Sequence, residues 1–346
     1  MLTAHDITML LLALGALLAV ARAFGEIARR LGQPSIVGEI AAGVLLGPTI
    51  LARVAPGVSA ALFPASGNVH LSLQALTSLS ITLFMLVAGM EVDLKMVWKR
   101  RNAALAIGLG GAIPAMLAGV ALATLAPAWI GMGEHAQPAA FALFLATALG
   151  LSGLAVIAKM LMDMQISRTE IGATILASAV VIDVLGCLLF AVVLALSHTP
   201  GADPSAHGSL NVWQTMLAAG IFVVGILTLG RAALNRAIPW VQAHTAWPGG
   251  VLGLALVGCV LCAAFTEWAG VHAIVGAFMF GMALGDSKHL RHSTRQTLEQ
   301  FISFIFAPLF FASIGLKVNV IANFEPLLVV LVFGLSCFGK VIGCGI

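Results

Sequence analysis

Ile171-Gly-Ala-Thr-Ile-Leu-Ala-Ser-Ala-Val-Val-Ile-Asp183-Val-Leu-Gly-Cys-Leu-Leu-Phe-Ala-Val-Val-Leu-Ala-Leu196 is a run of 26 residues in which Asp183, the thirteenth, is the only charged one. As an α-helix rising 1.5 Å per residue, it places the aspartate roughly 20 Å from either end. The apolar core of a bilayer is about 30 Å thick, so the run crosses it with Asp183 near the midplane. A carboxylate at that depth costs about 2.5–3.5 kcal/mol on insertion scales, and such residues mark ion pathways and proton relays. Two readings are open: a structural aspartate paired with a distant lysine, or a carboxylate that takes a cation and a proton in turn. The second is favoured.

The rest of the chain agrees with a membrane setting. Of its 346 residues 60% are hydrophobic and 9% charged, against about 25% charged in a soluble domain. The fold class is an all-α polytopic membrane protein in the lipid bilayer, not an enzyme, with neither a cofactor nor a nucleic-acid partner expected. Met1 to Asp6 lack basic residues, so no cleavable signal is expected. Cys259 and Cys262 form a C-x-x-C inside an apolar run without histidine partners, and are read as small packing residues.

Apolar runs fall at about 7–24, 36–54, 71–90, 103–126, 139–162, 171–196, 212–230, 249–268, 272–285, 301–316 and 325–346, which predicts eleven helices. Fourteen of the 17 Lys and Arg lie after odd-numbered helices or beside them: Arg22, Arg29 and Arg30; Lys95, Lys99, Arg100 and Arg101; Lys159 and Arg168; Arg231 and Arg236; Lys288, Arg291 and Arg295. Positive charge stays inside, so the N-terminus is placed outside and residue 346 near the cytoplasmic face, with a bacterial inner membrane as the setting. Trp98, Trp129, Trp213, Trp240, Trp247 and Trp268 all fall at helix ends or loops, as an interfacial belt requires.

An internal repeat emerges on comparison of the two halves. Ile36-Val37-Gly38, Gly43 and Leu46-Gly47 recur as Ile274-Val275-Gly276, Gly281 and Leu284-Gly285, at an offset of 238. Phe84 and Gly89-Met90-Glu91-Val92-Asp93 recur as Phe310 and Gly315-Leu316-Lys317-Val318-Asn319, at an offset of 226. By the charge pattern the two copies run through the membrane in opposite senses, the inverted-repeat plan of many secondary transporters, in which discontinuous helices cross at the substrate site. The second copy is incomplete, since helices nine to eleven answer two to four and nothing answers five and six. The natural chain is expected to continue beyond Ile346.

Helix five carries Ala146-Thr147-Ala148-Leu149-Gly150-Leu151-Ser152-Gly153, whose glycines and hydroxyls predict a break at mid-membrane. A break is tolerated there only if buried in protein or lining a wet cavity. Close packing of small residues is the alternative for Thr147 and Ser152. A cation such as sodium calls for hard oxygen ligands, which Asp183, nearby hydroxyls, carbonyls and water supply. Lys340 lies inside helix eleven and needs a partner.

These stretches, with Pro34-Ser35-Ile36-Val37-Gly38-Glu39 through Pro48, Ile175 to Gly186, Gly276-Ala277-Phe278 and Lys340 to Gly345, resemble the cation:proton antiporter-2 family of sodium/proton and potassium/proton exchangers. The resemblance implies a homodimer, a mobile ion-carrying core and an interface domain. The core covers about 103–196 and 325–346, the interface helices about 7–90 and 249–316, and 212–230 is a linker helix. It maps the family's ion-binding aspartate onto Asp183 and its helix-borne lysine onto Lys340. It also implies two further core helices, one crossing helix five. One departure stands out: many members carry an acid or amide just before the aspartate, and here that residue is Ile182. With Asp183 as the single titrating group, exchange is expected one for one and electroneutral; a Lys340 that releases its proton on cation binding is the alternative, with two protons per cation and an electrogenic cycle.

Glu39 is read as a funnel carboxylate or a packing residue, Glu267 as interfacial, and His272 as a capping residue ahead of a pH sensor. Glu91 and Asp93 are expected to form loop ion pairs beside Lys95. Monovalent cation/proton exchange leads. A sodium-coupled symporter of an organic anion and a partner-dependent or inactive truncated relative are the alternatives, separated by whether a cation alone moves protons.

Overall fold

The computed structural model describes residues 3–92, 99–130, 132, 137–167, 169–196, 217, 220–222, 224–245, 249–269, 272–322 and 324–345. Their regular structure is helical throughout: α1 (Ala4–Arg30), α2 (Ser35–Leu46), α3 (Leu51–Val54), α4 (Pro56–Leu62), α5 (Asn68–Met90), α6 (Arg101–Leu125), α7 (Pro138–Gly150), α8 (Leu154–Asp163), α9 (Glu170–Leu196), α10 (Arg231–His244), α11 (Gly249–Trp268), α12 (Ala273–Gly285), α13 (His292–Phe301), α14 (Ala307–Leu316) and α15 (Pro326–Gly345). Nine helical segments are long and apolar enough to cross a membrane among the described residues. The shorter apolar α12 and the 27-residue α9 occupy the remaining expected places. The protein is an all-α polytopic membrane protein.

Local chemistry sets the ends. Thr3 and Asp6 exchange side-chain and backbone hydrogen bonds in a capping box that starts α1. α2 stops before Gly47-Pro48, because proline disfavours helix in the residue ahead of it, so the expected run 36–54 is two pieces. Two expected segments were too short. The helix expected over 212–230 continues through Arg231 and Arg236 to His244, and the one expected to start at 301 begins at His292. Both extensions are amphipathic, burying Leu234 and Ile238 or Thr294 and Leu298 under otherwise polar faces, which a hydropathy criterion passes over. Asp93, Lys95, Trp98, Arg168, Trp213 and Trp247 lie outside the described residues; Trp129, Trp240 and Trp268 are exposed.

The helices pack in two groups. One holds α1, α2, α5, α11, α12 and α14; the other holds α6, α7, α9 and α15. Among the described residues α8 alone packs extensively on both, touching α9 in one group and α2 and α5 in the other.

Glycine lets the backbones meet. Gly43 of α2 faces the main chain of Ala312 and Gly315 of α14, and Gly315 faces Ile40 and Val44 in return. Gly89 of α5 faces Phe278, Gly281 and Met282 of α12, and Gly281 faces Leu86. Gly43 and Gly281 are matched at the offset of 238, and Gly89 and Gly315 at 226, so both crossings use the same two motifs, one from each half. In the other group Gly110 of α6 meets Gly343 of α15 and Ala115 meets Gly339, so these helices are antiparallel.

Gly89→Leu and Gly281→Leu are expected to destabilise the protein by about 1–3 kcal/mol or more, since the added atoms overlap main chain that has nowhere to go. Gly253→Ala, with nothing within 4 Å of the new Cβ, should be neutral or slightly stabilising. Thermal unfolding in detergent checks this: equal midpoints for all three would contradict the crossings.

Candidate functional site

The expected break in helix five lies at Leu151–Gly153, between α7 and α8. Leu151 is extended, with φ −60° and ψ 141°, and Gly153 has φ −55° and ψ 107°. A helix end leaves carbonyls without partners at its C-terminus and N–H groups without partners at its N-terminus. In an apolar medium each needs a side chain to answer it.

α15 answers the first end. The Lys340 Nζ donates to the Leu151 carbonyl and to the Ser152 Oγ, each at 2.9 Å. Ser336, one turn earlier on the same face, donates to the Leu149 carbonyl at 3.3 Å. α9 answers the second end: the Asp183 carboxylate lies by the Leu154 backbone N–H, close enough to interact with it. Gly186, three residues on and so on the same face as Asp183, lets the Leu151 side chain lie against α9, where a Cβ would collide with it. An ammonium thus sits at the negative end of one helix and a carboxylate at the positive end of the next, each the favourable choice for the helix dipole.

Asp183, Ser152 and Lys340 meet at the break. Lys340, whose partner was open, is held by the break itself. Thr147 is buried one turn before it, and its hydroxyl donates to Leu143 within α7 at 2.7 Å, the back-bonding of a packed threonine. Glu39 lies elsewhere, on α2, buried and 3.9 Å from Lys159. Lys159, assigned from sequence to the edge of a loop, is a buried residue of α8. Glu91, expected in a loop ion pair, is buried and accepts from the Ser167 hydroxyl at 3.0 Å, with Arg295 at 3.4 Å. His272 caps α12 through the Ile274 N–H, and Glu267 accepts from the Ala273 N–H at 2.7 Å, so both serve that helix start. Cys259 is buried and points its thiol at the Thr82 carbonyl, a packing role. Ile182 is buried. The carbonyls of the break were expected as a class; the Leu154 N–H and Ser336 were missed. Main-chain groups carry no residue signal, but the spacing of Ser336 four before Lys340 was available.

The model of the transmembrane sodium/hydrogen exchanger family matches residues 13–346. The chain belongs to this family. Members similar to it include "Cation/H(+) antiporter 17" of Arabidopsis thaliana, 30% identical over 98% of this chain and 40% of its own length. Others are "Na(+)/H(+) antiporter NhaS4" of Synechocystis, 26% identical over 88% of this chain and 72% of that protein, and "Na(+)/H(+)-K(+) antiporter GerN" of Bacillus cereus, 26% identical over 93% and 75%. The chain thus spans 40% of the length of the first of these relatives. In fold it is similar to the sodium proton antiporter MjNhaP1 from Methanocaldococcus jannaschii, with a TM-score of 0.68 over 98% of this chain and 78% of that one, at 16% identity.

Lys340→Met should cost about 1–3 kcal/mol, because the Leu151 carbonyl loses its donor in a setting where water replaces it poorly. Thermal unfolding of the variant measures this; an unchanged midpoint would mean that the lysine does not hold the break.

Proposed function

We propose that the chain forms the membrane part of a secondary antiporter that exchanges a monovalent cation, sodium or potassium, for protons. The observation that carries the reading is the position of Asp183: it is the sole charged residue of the apolar run 171–196 that makes up α9 after Glu170, and its carboxylate lies at the N-terminus of a broken helix. The three relatives named above, each called a cation/proton antiporter, support the same reading.

The chemistry follows from one carboxylate with two competing loads. Deprotonated, Asp183 offers a hard anionic oxygen to a cation, with the Ser152 hydroxyl, main-chain oxygens of the break, the Thr147 side-chain oxygen and water as neutral ligands within the same region. Protonated, it has no charge with which to attract one. The Leu154 N–H and the dipole of α8 keep the carboxylate oriented in both forms. Lys340, bound to Leu151 and Ser152, keeps the opposite helix end neutralised while the load changes. We take the α6–α7–α9–α15 group as the moving core and the other group as its support, related by an inverted repeat and working as a homodimer. The site then faces each side of the membrane in turn. The orientation that fits the Lys and Arg pattern has the N-terminus outside. Because Ile182 supplies no second carboxylate and Lys340 is engaged at the break, one cation exchanges for one proton.

Proteoliposomes carrying the full-length protein and a pH-sensitive dye test this. Adding sodium or potassium salts alone should drive proton flux, at a rate insensitive to membrane potential. Asp183→Asn should abolish the flux while leaving the unfolding midpoint in place. Flux from a folded Asn variant, or flux that requires an organic solute, would refute the reading. Below the pKa of the empty carboxylate, apparent cation affinity should weaken about tenfold per pH unit, since each unit of proton competition is worth about 1.36 kcal/mol.

A further inference from the structure

α8 is attached differently at its two ends. The backbone N–H of its first residue lies by the Asp183 carboxylate. Its later turns are bound to α2 by buried charge. The Lys159 Nζ lies 3.9 Å from the Glu39 Oε1 and 3.6 Å from the Asp163 Oδ1. The Asp163 Oδ2 in turn accepts from the Ser35 backbone N–H at 3.1 Å and from the Ser35 hydroxyl at 2.6 Å. The side chains of Lys159 and Glu39 are 5% and 1% exposed. Arg22 of α1, its guanidinium over the Phe304 ring, adds a more distant positive charge on the Glu39 side. α2 itself is locked to α1: Gly38 abuts the Phe24 main chain, and Gly25 abuts Glu39. A second tie runs along the same seam, from Ser167, just beyond α8, to Glu91 at the end of α5, where Arg295 of α13 also meets it.

None of these groups serves the Asp183 site directly, and buried charges are costly to keep. Their placement supplies the reason. They lie between the two packing groups, on the side where Arg100 pairs with Glu170 and the Lys and Arg residues collect. The two Lys159 contacts exceed hydrogen-bond length, so charge holds them rather than directed bonds. Such a junction behaves unlike an apolar seam when it parts. Water solvates the separating ions, and that gain offsets the lost attraction, so the seam can be tight when dry and still open.

We propose that Glu39, Lys159 and Asp163 form a gate on the Lys/Arg-rich side, closed in this structure, that separates when the core moves. The proposal rests on the alternating-access reading above. While the gate is shut, α8 is fixed on α2 and its N-terminus is held at Asp183. Lys159 is thus a positioning residue for the site as well as a part of the gate.

Deuterium uptake by backbone amides tests the gate without relying on transport. The full-length protein in detergent is compared with Lys159→Met and with the exchanged pair Glu39→Lys/Lys159→Glu. Lys159→Met should raise uptake over 154–163 and 35–46 by about tenfold or more, as expected when a local opening loses a buried ion pair. Uptake in α11 and α12 should stay unchanged, and the exchanged pair should return the seam toward the native level. Unchanged uptake at the seam, or a rise spread equally over all helices, would overturn the gate. If the seam responds as expected but the native protein moves no protons on cation addition, the antiport reading fails while the gate stands.

Discussion

Backbone polar groups cannot be left bare in lipid, and the break at Leu151–Gly153 leaves several of them at mid-membrane. The rest of the structure is arranged around this constraint. Lys340 and Ser336 exist on one face of α15 to bond Leu151, Ser152 and Leu149. Asp183 on α9 faces the N–H of Leu154. Each charge that would be prohibitive alone in a bilayer has a helix end of opposite sign to meet. The arrangement also ties α9 and α15 to one break: α15 bonds Leu149, Leu151 and Ser152, α9 meets Leu151 and Leu154, and α6 runs behind them, its glycines admitting α15 at Gly343.

The other group of helices meets the opposite demand. Its crossings at Gly43 with Gly315 and at Gly89 with Gly281 bring main chain against main chain, leaving no slack for rearrangement. A rigid frame beside a group organised on a broken helix suits a protein that must move one against the other. α8 lies where those two designs meet, with the aspartate at one end and the Lys159 and Asp163 contacts at the other.

Much of this could be read in the residues alone. Hydropathy located the apolar cores of the helices, because a bilayer imposes a length as well as a composition. Asp183 was legible because a lone acid in a long apolar run is so costly, and the break because Gly150-Leu151-Ser152-Gly153 interrupts helix formers. The offsets linking Gly43 with Gly281 and Gly89 with Gly315 pointed to the residues that make the tight crossings. Three things were not legible. The amphipathic starts and ends at Arg231–His244 and His292–Phe301 lie outside any hydropathy window, since their buried face is narrow. Lys159 passed for a loop charge, because nothing local shows that Glu39, 120 residues earlier, lies opposite. Whether Thr147 packs or ligates was open in the sequence: its hydroxyl donates one turn back to Leu143, which leaves its oxygen able to accept.

The central claim is that one carboxylate carries the proton and the cation by turns. Infrared difference spectroscopy of the full-length protein measures this at the group itself. At a pH where the empty site is protonated, adding sodium or potassium should remove one protonated-carboxyl stretching band and add one carboxylate band. Neither change should occur in Asp183→Asn. A native protein that exchanges the cation for protons with no loss of that band, or that loses it equally in the Asn variant, would show that the load is carried somewhere other than Asp183.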